Sequence, residues 1–246
     1  MKKMVSIIVG TVIFPVTVFA ARPLSVNDAG TVGRGNIEIE YGIEHVKGFD
    51  NETEMGLVLT FGVGDTLDAA VEVPYIFIDA KEESDSDGFA DVGGSLKWNL
   101  VKEKGSFPDS ALVFGYMSES GNDERGVGAG RPEYSLACVF SKTFEPFTAH
   151  LNIGYAFRKD FEEEDNEDGF TYGLAFEYAL NEKFNLVGEV VGETVLKREF
   201  NDNVCAILFG FNYAIADTIT LDLGVGTGMS RADFDLQVTY GITIAL

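Results

Sequence analysis

The chain is poor in most of what marks a chemical site. Its 246 residues include two histidines, two cysteines and one tryptophan. Two cysteines without clustered histidines give no zinc spacing, so no metal or other cofactor is expected. Cys138 and Cys205 fall in segments that a barrel would hold apart, and a bridge needs Cα atoms within roughly 7 Å. Two separate wall thiols are therefore expected. Basic residues are scarce as well: 18 Lys and Arg stand against 40 Asp and Glu, for a formal charge of −22. Nucleic acid repels such a chain, and that class of partner is excluded. Long apolar runs are missing after residue 21, so no membrane-spanning helix is expected. Acidity alone would suggest disorder, but 46% hydrophobic and 12% aromatic content belongs to a folded chain.

The first twenty residues read as a secretory signal. Lys2 and Lys3 form a positive start, Val5 to Phe19 is apolar, and Val18-Phe19-Ala20 suits cleavage before Ala21. Gly10 and Pro15 interrupt the run, which is short for a retained anchor. Cleavage would remove Lys2 and Lys3 and leave about 226 residues at −24, a length compatible with one all-β domain. The expected organisation is a signal over 1–20, an N-terminal periplasmic or lumen-entering segment over 21–35, and a barrel over 36–246.

From residue 36 onward, apolar and polar residues alternate with period two. Ile37, Ile39, Tyr41 and Ile43 oppose Glu38, Glu40, Gly42 and Glu44; Leu67, Val71, Val73 and Phe77 oppose Asp68, Ala70, Glu72 and Pro74. The pattern is sharp around 147–157 and 170–180. It blurs around 110–118, 132–141 and 203–213, where both faces carry apolar residues. The chain ends on a strand with Phe234, Leu236, Val238, Tyr240, Ile242, Ile244 and Leu246 on one face and polar or small residues on the other. Twelve such segments can be counted. Charge is absent from the apolar faces of the eight sharpest, the opposite of a soluble sandwich or lipocalin-like barrel. The expected fold is an all-β, transmembrane, up-and-down antiparallel β-barrel of 12 strands.

The connections agree. Long acidic ones (47–53, 79–88, 119–131, 158–169, 196–203, 229–233) alternate with shorter ones (62–66, 101–109, 142–146, 181–183, 214–218), as in barrels with extracellular loops and periplasmic turns. Gly241, Ile244 and Leu246 resemble the C-terminal signal by which outer-membrane barrels are assembled, with Leu in place of the usual terminal Phe. The expected setting is the bacterial outer membrane, and the expected partners are its lipid and lipopolysaccharide, periplasmic chaperones and the barrel-assembly machinery.

The polar face supplies the pore-lining candidates: Glu38, Glu40, Glu54, Asp68, Glu72, Asp91, Lys97, His150, Arg158, Glu177, Glu189, Glu193 and Asp222. Read first, they line a watery lumen that prefers cations, with inward glycines such as Gly42, Gly173 and Gly224 leaving room. Read second, they pair across a filled interior. Residues 21–34 are read first as a tether in the periplasm, and second as an insert in the lumen with Arg22 or Arg34 bound by Glu38 or Glu40. The acidic runs Glu82–Gly88 and Asp160–Asp168 read as solvated loops; Asp85-Ser86-Asp87-Gly88 is only a fragment of a calcium loop. Neither His45 nor His150 has an obvious serine partner on an adjacent strand, so no catalytic residue is assigned. His45 reads as a rim residue and His150 as a lumen hydrogen-bonder.

Arg22-Pro23-Leu24-Ser25-Val26-Asn27-Asp28-Ala29-Gly30-Thr31-Val32-Gly33-Arg34-Gly35, with Val73-Pro74-Tyr75, Gly88-Phe89-Ala90-Asp91 and Leu151-Asn152-Ile153-Gly154-Tyr155, resembles the outer-membrane transporter-like family catalogued under the meta-pathway of phenol degradation. Met117-Ser118-Glu119-Ser120-Gly121 departs from that family's Pro-Thr-Gly turn. The resemblance implies passive uptake of small molecules, aromatic or hydrophobic ones among them. The alternative is a non-conducting structural or surface-interaction barrel, and a lipid-modifying enzyme stands behind both.

Overall fold

The structure, a computed structural model, describes residues 22–81, 84–158, 168–195, 203–230 and 234–246. The signal over 1–20, its cleavage point, Glu82-Glu83 and most of the acidic run 160–168 lie outside the described residues. Thirteen strands appear among the described ones: β1 (Ile37–Lys47), β2 (Asn51–Gly64), β3 (Leu67–Asp79), β4 (Ser86–Phe89), β5 (Gly93–Val101), β6 (Asp109–Met117), β7 (Glu133–Phe144), β8 (Phe147–Arg158), β9 (Gly169–Asn181), β10 (Phe184–Val195), β11 (Val204–Ala216), β12 (Ile219–Gly228) and β13 (Leu236–Ala245). All pairings are antiparallel. β1 closes the sheet onto β13, with Ile37 and Leu246 exchanging backbone hydrogen bonds at 3.0 and 2.8 Å. Twelve strands form the barrel, and β4 is a short addition paired to the upper part of β3.

Closure satisfies every wall strand through its neighbours, the condition for backbone in hydrocarbon. The alternation then decides which side chains meet lipid. Leu57 and Phe61 on β2, Leu96 and Trp98 on β5, Leu151 and Ile153 on β8, and Leu174 and Phe176 on β9 all lie exposed on the outer wall. Aromatic pairs gather toward both ends, Tyr75 with Phe89 and Tyr116 with Tyr134 near the loops, and Phe147 with Tyr178 near the turns. Girdles of this kind border the apolar band of a transmembrane barrel.

Four expectations need correction. The connection expected over 47–53 shortens to Gly48–Asp50, because β1 and β2 stay paired as far as Lys47 and Asn51. Residues 86–89 are not a solvated loop: they form β4, where Asp87 takes the Tyr75 hydroxyl and lies 3.6 Å from Arg125. Asp85 accepts from Ala80 N–H at 3.3 Å, so both carboxylates of the calcium-loop fragment already have partners. Phe234 precedes β13 and is buried beside Gly48 instead of facing lipid. Asp91 belongs to the bend between β4 and β5, outside the strands. The two thiols stand apart on β7 and β11 with no disulfide between them.

Leu174 sits mid-strand on the outer face, opposite Leu151 and Val190. Leu174→Arg should destabilise the barrel by about 2–4 kcal/mol, the cost of a cation near the bilayer midplane. Urea titration of vesicle-folded protein, read by heat-modifiable gel migration, measures this; a loss no greater than for Leu174→Ala would contradict the lipid-facing assignment.

Candidate functional site in the barrel lumen

The N-terminal segment determines the shape of the lumen. At Asn36 the chain leaves β1 and turns back, helped by Gly33 and Gly35 at φ +86° and +81°, a region that side-chain-bearing residues avoid. Gly35 N–H donates to Gly62 O at 2.8 Å, and Gly62 N–H donates to Asn36 O at 3.0 Å. From there residues 32 back to 22 run around the inside of the wall. They touch β3 at Asp68, β5 at Asn99, β7 at Ser141, β8 at Asn152, β10 at Glu189, and β12 and β13 at Asp222 and Thr239. Twelve strands about 4.8 Å apart have a girth of roughly 60 Å across the strands. Eleven residues reach at most about 37–40 Å, enough for much of a circuit at the smaller radius of the inner surface.

Such a segment has no sheet partner, so its buried backbone groups must be met by side chains. The wall meets them. Glu189 accepts from the N–H groups of Ser25 and Val26 at 2.8 Å. Asn152 accepts from Asn27 N–H and donates to Asn27 O, both at 2.8 Å. Ser141 Oγ accepts from Ala29 N–H at 2.8 Å, Asn99 donates to Ala29 O at 2.7 Å, and Asp68 accepts from Val32 N–H at 2.9 Å. Leu24 and Val26 pack on Ala175, Val187 and Leu208; Ala29 packs on Ala70, Ala111, Val113 and Val139.

Gly42, Gly173 and Gly224 are occupied, which corrects the reading of these three as open space. A Cβ on Gly42 would collide with the Arg22 guanidinium, one on Gly173 would meet Val26 at 2.6 Å, and one on Gly224 would meet Pro23 at 3.1 Å. The bases are also placed differently from expectation. Arg22 reaches Asp222 at 3.5 Å and Thr239 at 2.6 Å, while Arg34 sits at the exposed rim beside Asp65. Lys97 lies 3.8 Å from Asp28.

The remaining candidates divide by height. Near the loops, Arg158 bridges Glu133 and Glu193 within the barrel mouth. Asp91 accepts from Gly121 and Ala129 N–H at 2.7 Å, while Ser118 and Ser120 accept from Val92 N–H, and together these bonds fasten this connection. Val127 packs with Ile76 and Ala90 against the wall. On β1 to β3, inward Glu40, Glu44, Glu54 and Glu72 form an acidic wall above the segment, with Gln237 donating to Glu44 at 2.8 Å. Glu38 lies lower on the same wall, where it helps line a cavity. At the turns, Lys142 donates to Glu103 at 2.7 Å and Thr143 N–H donates at 3.1 Å. These bonds, that from Lys142 foremost, hold the Glu103 carboxyl below the usual carboxylate range.

His150 corrects one further expectation, because it does have a serine partner. Ser141 stands directly across from it on β7, Oγ 2.8 Å from Nδ1, and Glu177 Oε1 lies 3.2 Å from Nε2. The pairing was hidden because β7 is apolar on both faces and its parity was ambiguous. Ser, His and Glu in line have the order of a nucleophile's relay, and the same hydroxyl oxygen also accepts from Ala29 N–H of the segment. His45 lies at the rim, 2.8 Å from Thr53 Oγ1. Among the described residues no cluster of three or more His, Cys, Asp or Glu is arranged for a metal ion.

Residues 20–246 match the family described as "Putative MetA-pathway of phenol degradation", in line with the resemblance seen in the sequence. No curated protein matches the chain in sequence. Among solved structures, an outer-membrane channel from Pseudomonas putida F1 superposes with a TM-score of 0.70 at 13% identity, covering 89% of this chain and 98% of that one. The NanC porin gives 0.62 at 10% identity, covering 85% and 100%, and the CymD monoaromatic hydrocarbon channel 0.50 at 10% identity, covering 86% and 88%. At these identities the likeness is one of fold.

Replacing Glu189 with Ala orphans the N–H groups of Ser25 and Val26, at about 1–3 kcal/mol for each buried group. Since 1.4 kcal/mol is tenfold, the detached state should become at least roughly ten times more populated. Thermolysin cleavage at Leu24 or Val26 in the folded barrel reads this; equal protection of wild type and Glu189→Ala would remove the latch.

Proposed function

The chain belongs to the family of the MetA-pathway of phenol degradation, and from that premise we propose that it is a passive channel for small molecules whose path is narrowed by its own residues 22–35. The single observation that carries the reading is the circuit of hydrogen bonds from wall side chains to that segment, which leaves a polar lumen with a built-in constriction. The acid-rich inner wall favours cations over anions, since like charge in a narrow low-dielectric passage is strongly disfavoured. Family membership supports small aromatic or hydrophobic solutes. The protein works in the bacterial outer membrane after removal of residues 1–20. Chaperones and the barrel-assembly machinery deliver it through the strand that carries Gly241, Ile244 and Leu246, and outer-membrane lipid and lipopolysaccharide surround it. It is not an enzyme in this reading: Ser141 Oγ accepts from Ala29 N–H and serves to hold the segment in place.

The same circuit favours a second reading, a non-conducting structural or surface-interaction barrel in which the segment is a permanent plug. Planar-bilayer recording separates the two. The channel reading expects conductance in wild type, a reversal potential under a salt gradient that reports cation preference, and a larger conductance on deletion of residues 22–33. Silence in wild type with current only in the deletion variant supports the plug. Anion selectivity would overturn the electrostatic part of the proposal.

A further inference from the structure

Between the N-terminal segment and β1, β3 and β5 lies a cavity of about 230 Å³. Asp28, Glu38, Glu40 and Asp68 face it, with Lys97 as the single base in its lining. That base is already 3.8 Å from Asp28, so the cavity keeps an excess of negative charge. Asp68 is the informative residue. It is only 3% exposed, one of its oxygens accepts from Val32 N–H, and the other, Oδ1, is buried without a hydrogen-bond partner. A carboxylate oxygen left unmatched at that depth calls for a donor, and Asp68 borders the cavity.

Four carboxyl groups against one base favour a cationic occupant, and its size can be bounded. A water takes about 30 Å³ of liquid volume, so the space exceeds what a bare ion needs and suits a short-chain or single-ring organic molecule. The described residues offer no three-ligand arrangement for a metal. Ala70 in the lining gives a hydrocarbon body something to rest on.

We propose that this cavity is a subsite for a small organic ammonium ion, its N–H groups turned to Asp68 and Glu38 and its apolar body against Ala70. The assignment rests on the channel reading only for the route by which the cation arrives.

Benzylammonium, benzyl alcohol and benzoate share one ring and differ in charge, which makes them the probes. Calorimetry on the detergent-purified mature barrel at low salt should show saturable binding of benzylammonium, with the alcohol and benzoate at least about tenfold weaker. Asp68→Asn should weaken benzylammonium binding by about tenfold or more. Because Asp68 also holds Val32, Glu38→Gln, which takes no bond from the segment, serves as the second variant and should weaken it by about threefold or more. Equal affinity for the alcohol, no binding, saturable magnesium binding without benzylammonium binding, or indifference to both substitutions would each overturn the subsite. Bilayer recording on the same preparations keeps the two readings distinguishable. Conductance without benzylammonium binding removes the subsite and leaves the channel, while binding without conductance does the reverse.

Discussion

A backbone buried without a sheet to join must find its hydrogen bonds among side chains, and the interior of this barrel is organised by that requirement. Residues 22–32 lie inside a closed wall whose own N–H and C=O groups are already paired strand to strand. Glu189, Asn152, Ser141, Asn99 and Asp68, on five different strands, supply the missing partners. A typical hydrogen bond is worth only about 1 kcal/mol net, whereas an orphaned buried donor costs more. The circuit therefore acts mainly by specifying where the segment lies.

Charge and packing then follow from the same placement. The segment brings Arg22 to Asp222 and Asp28 toward Lys97, setting positive charge among crowded carboxylates. Its apolar residues need apolar wall beneath them, which Ala111, Val113 and Val139 provide on β6 and β7, and Val187 and Leu208 on β10 and β11. The acids on β1 to β3 stay above it, so the lumen is uneven around its circumference, acidic on one wall and small and apolar on the opposite one. That unevenness gives the passage a chemical preference as well as a width.

Most of the fold could be read from the chain because lipid imposes a simple rule. Outward positions must be apolar, and period two places every second residue there. The alternation located the strands around 147–157 and 170–180 closely, since their inner faces are polar and the contrast is plain. The blurred strands, around 110–118, 132–141 and 203–213, carry apolar residues on their inner faces that pack in the clusters formed with the segment. Val139 and Leu208 are apolar on the inside because Ala29 and Leu24 cover them. A pattern that looked weak was a record of contact. Beside Ser141 the same ambiguity concealed the partner of His150.

What the sequence alone determined is the barrel: its strand number, its inner and outer faces, the acid on the inside and the kinship of the N-terminal motif, all carried by local periodicity and by residues close together in the chain. Tertiary structure alone decided where residues 22–35 go, which acid meets which base, and whether inward glycines leave space or receive a side chain. Several of those contacts join residues more than a hundred positions apart, as with Ser25 and Glu189 or Arg22 and Thr239. No local pattern encodes such a pairing, because it depends on closure of the wall, which brings the last strand beside the first.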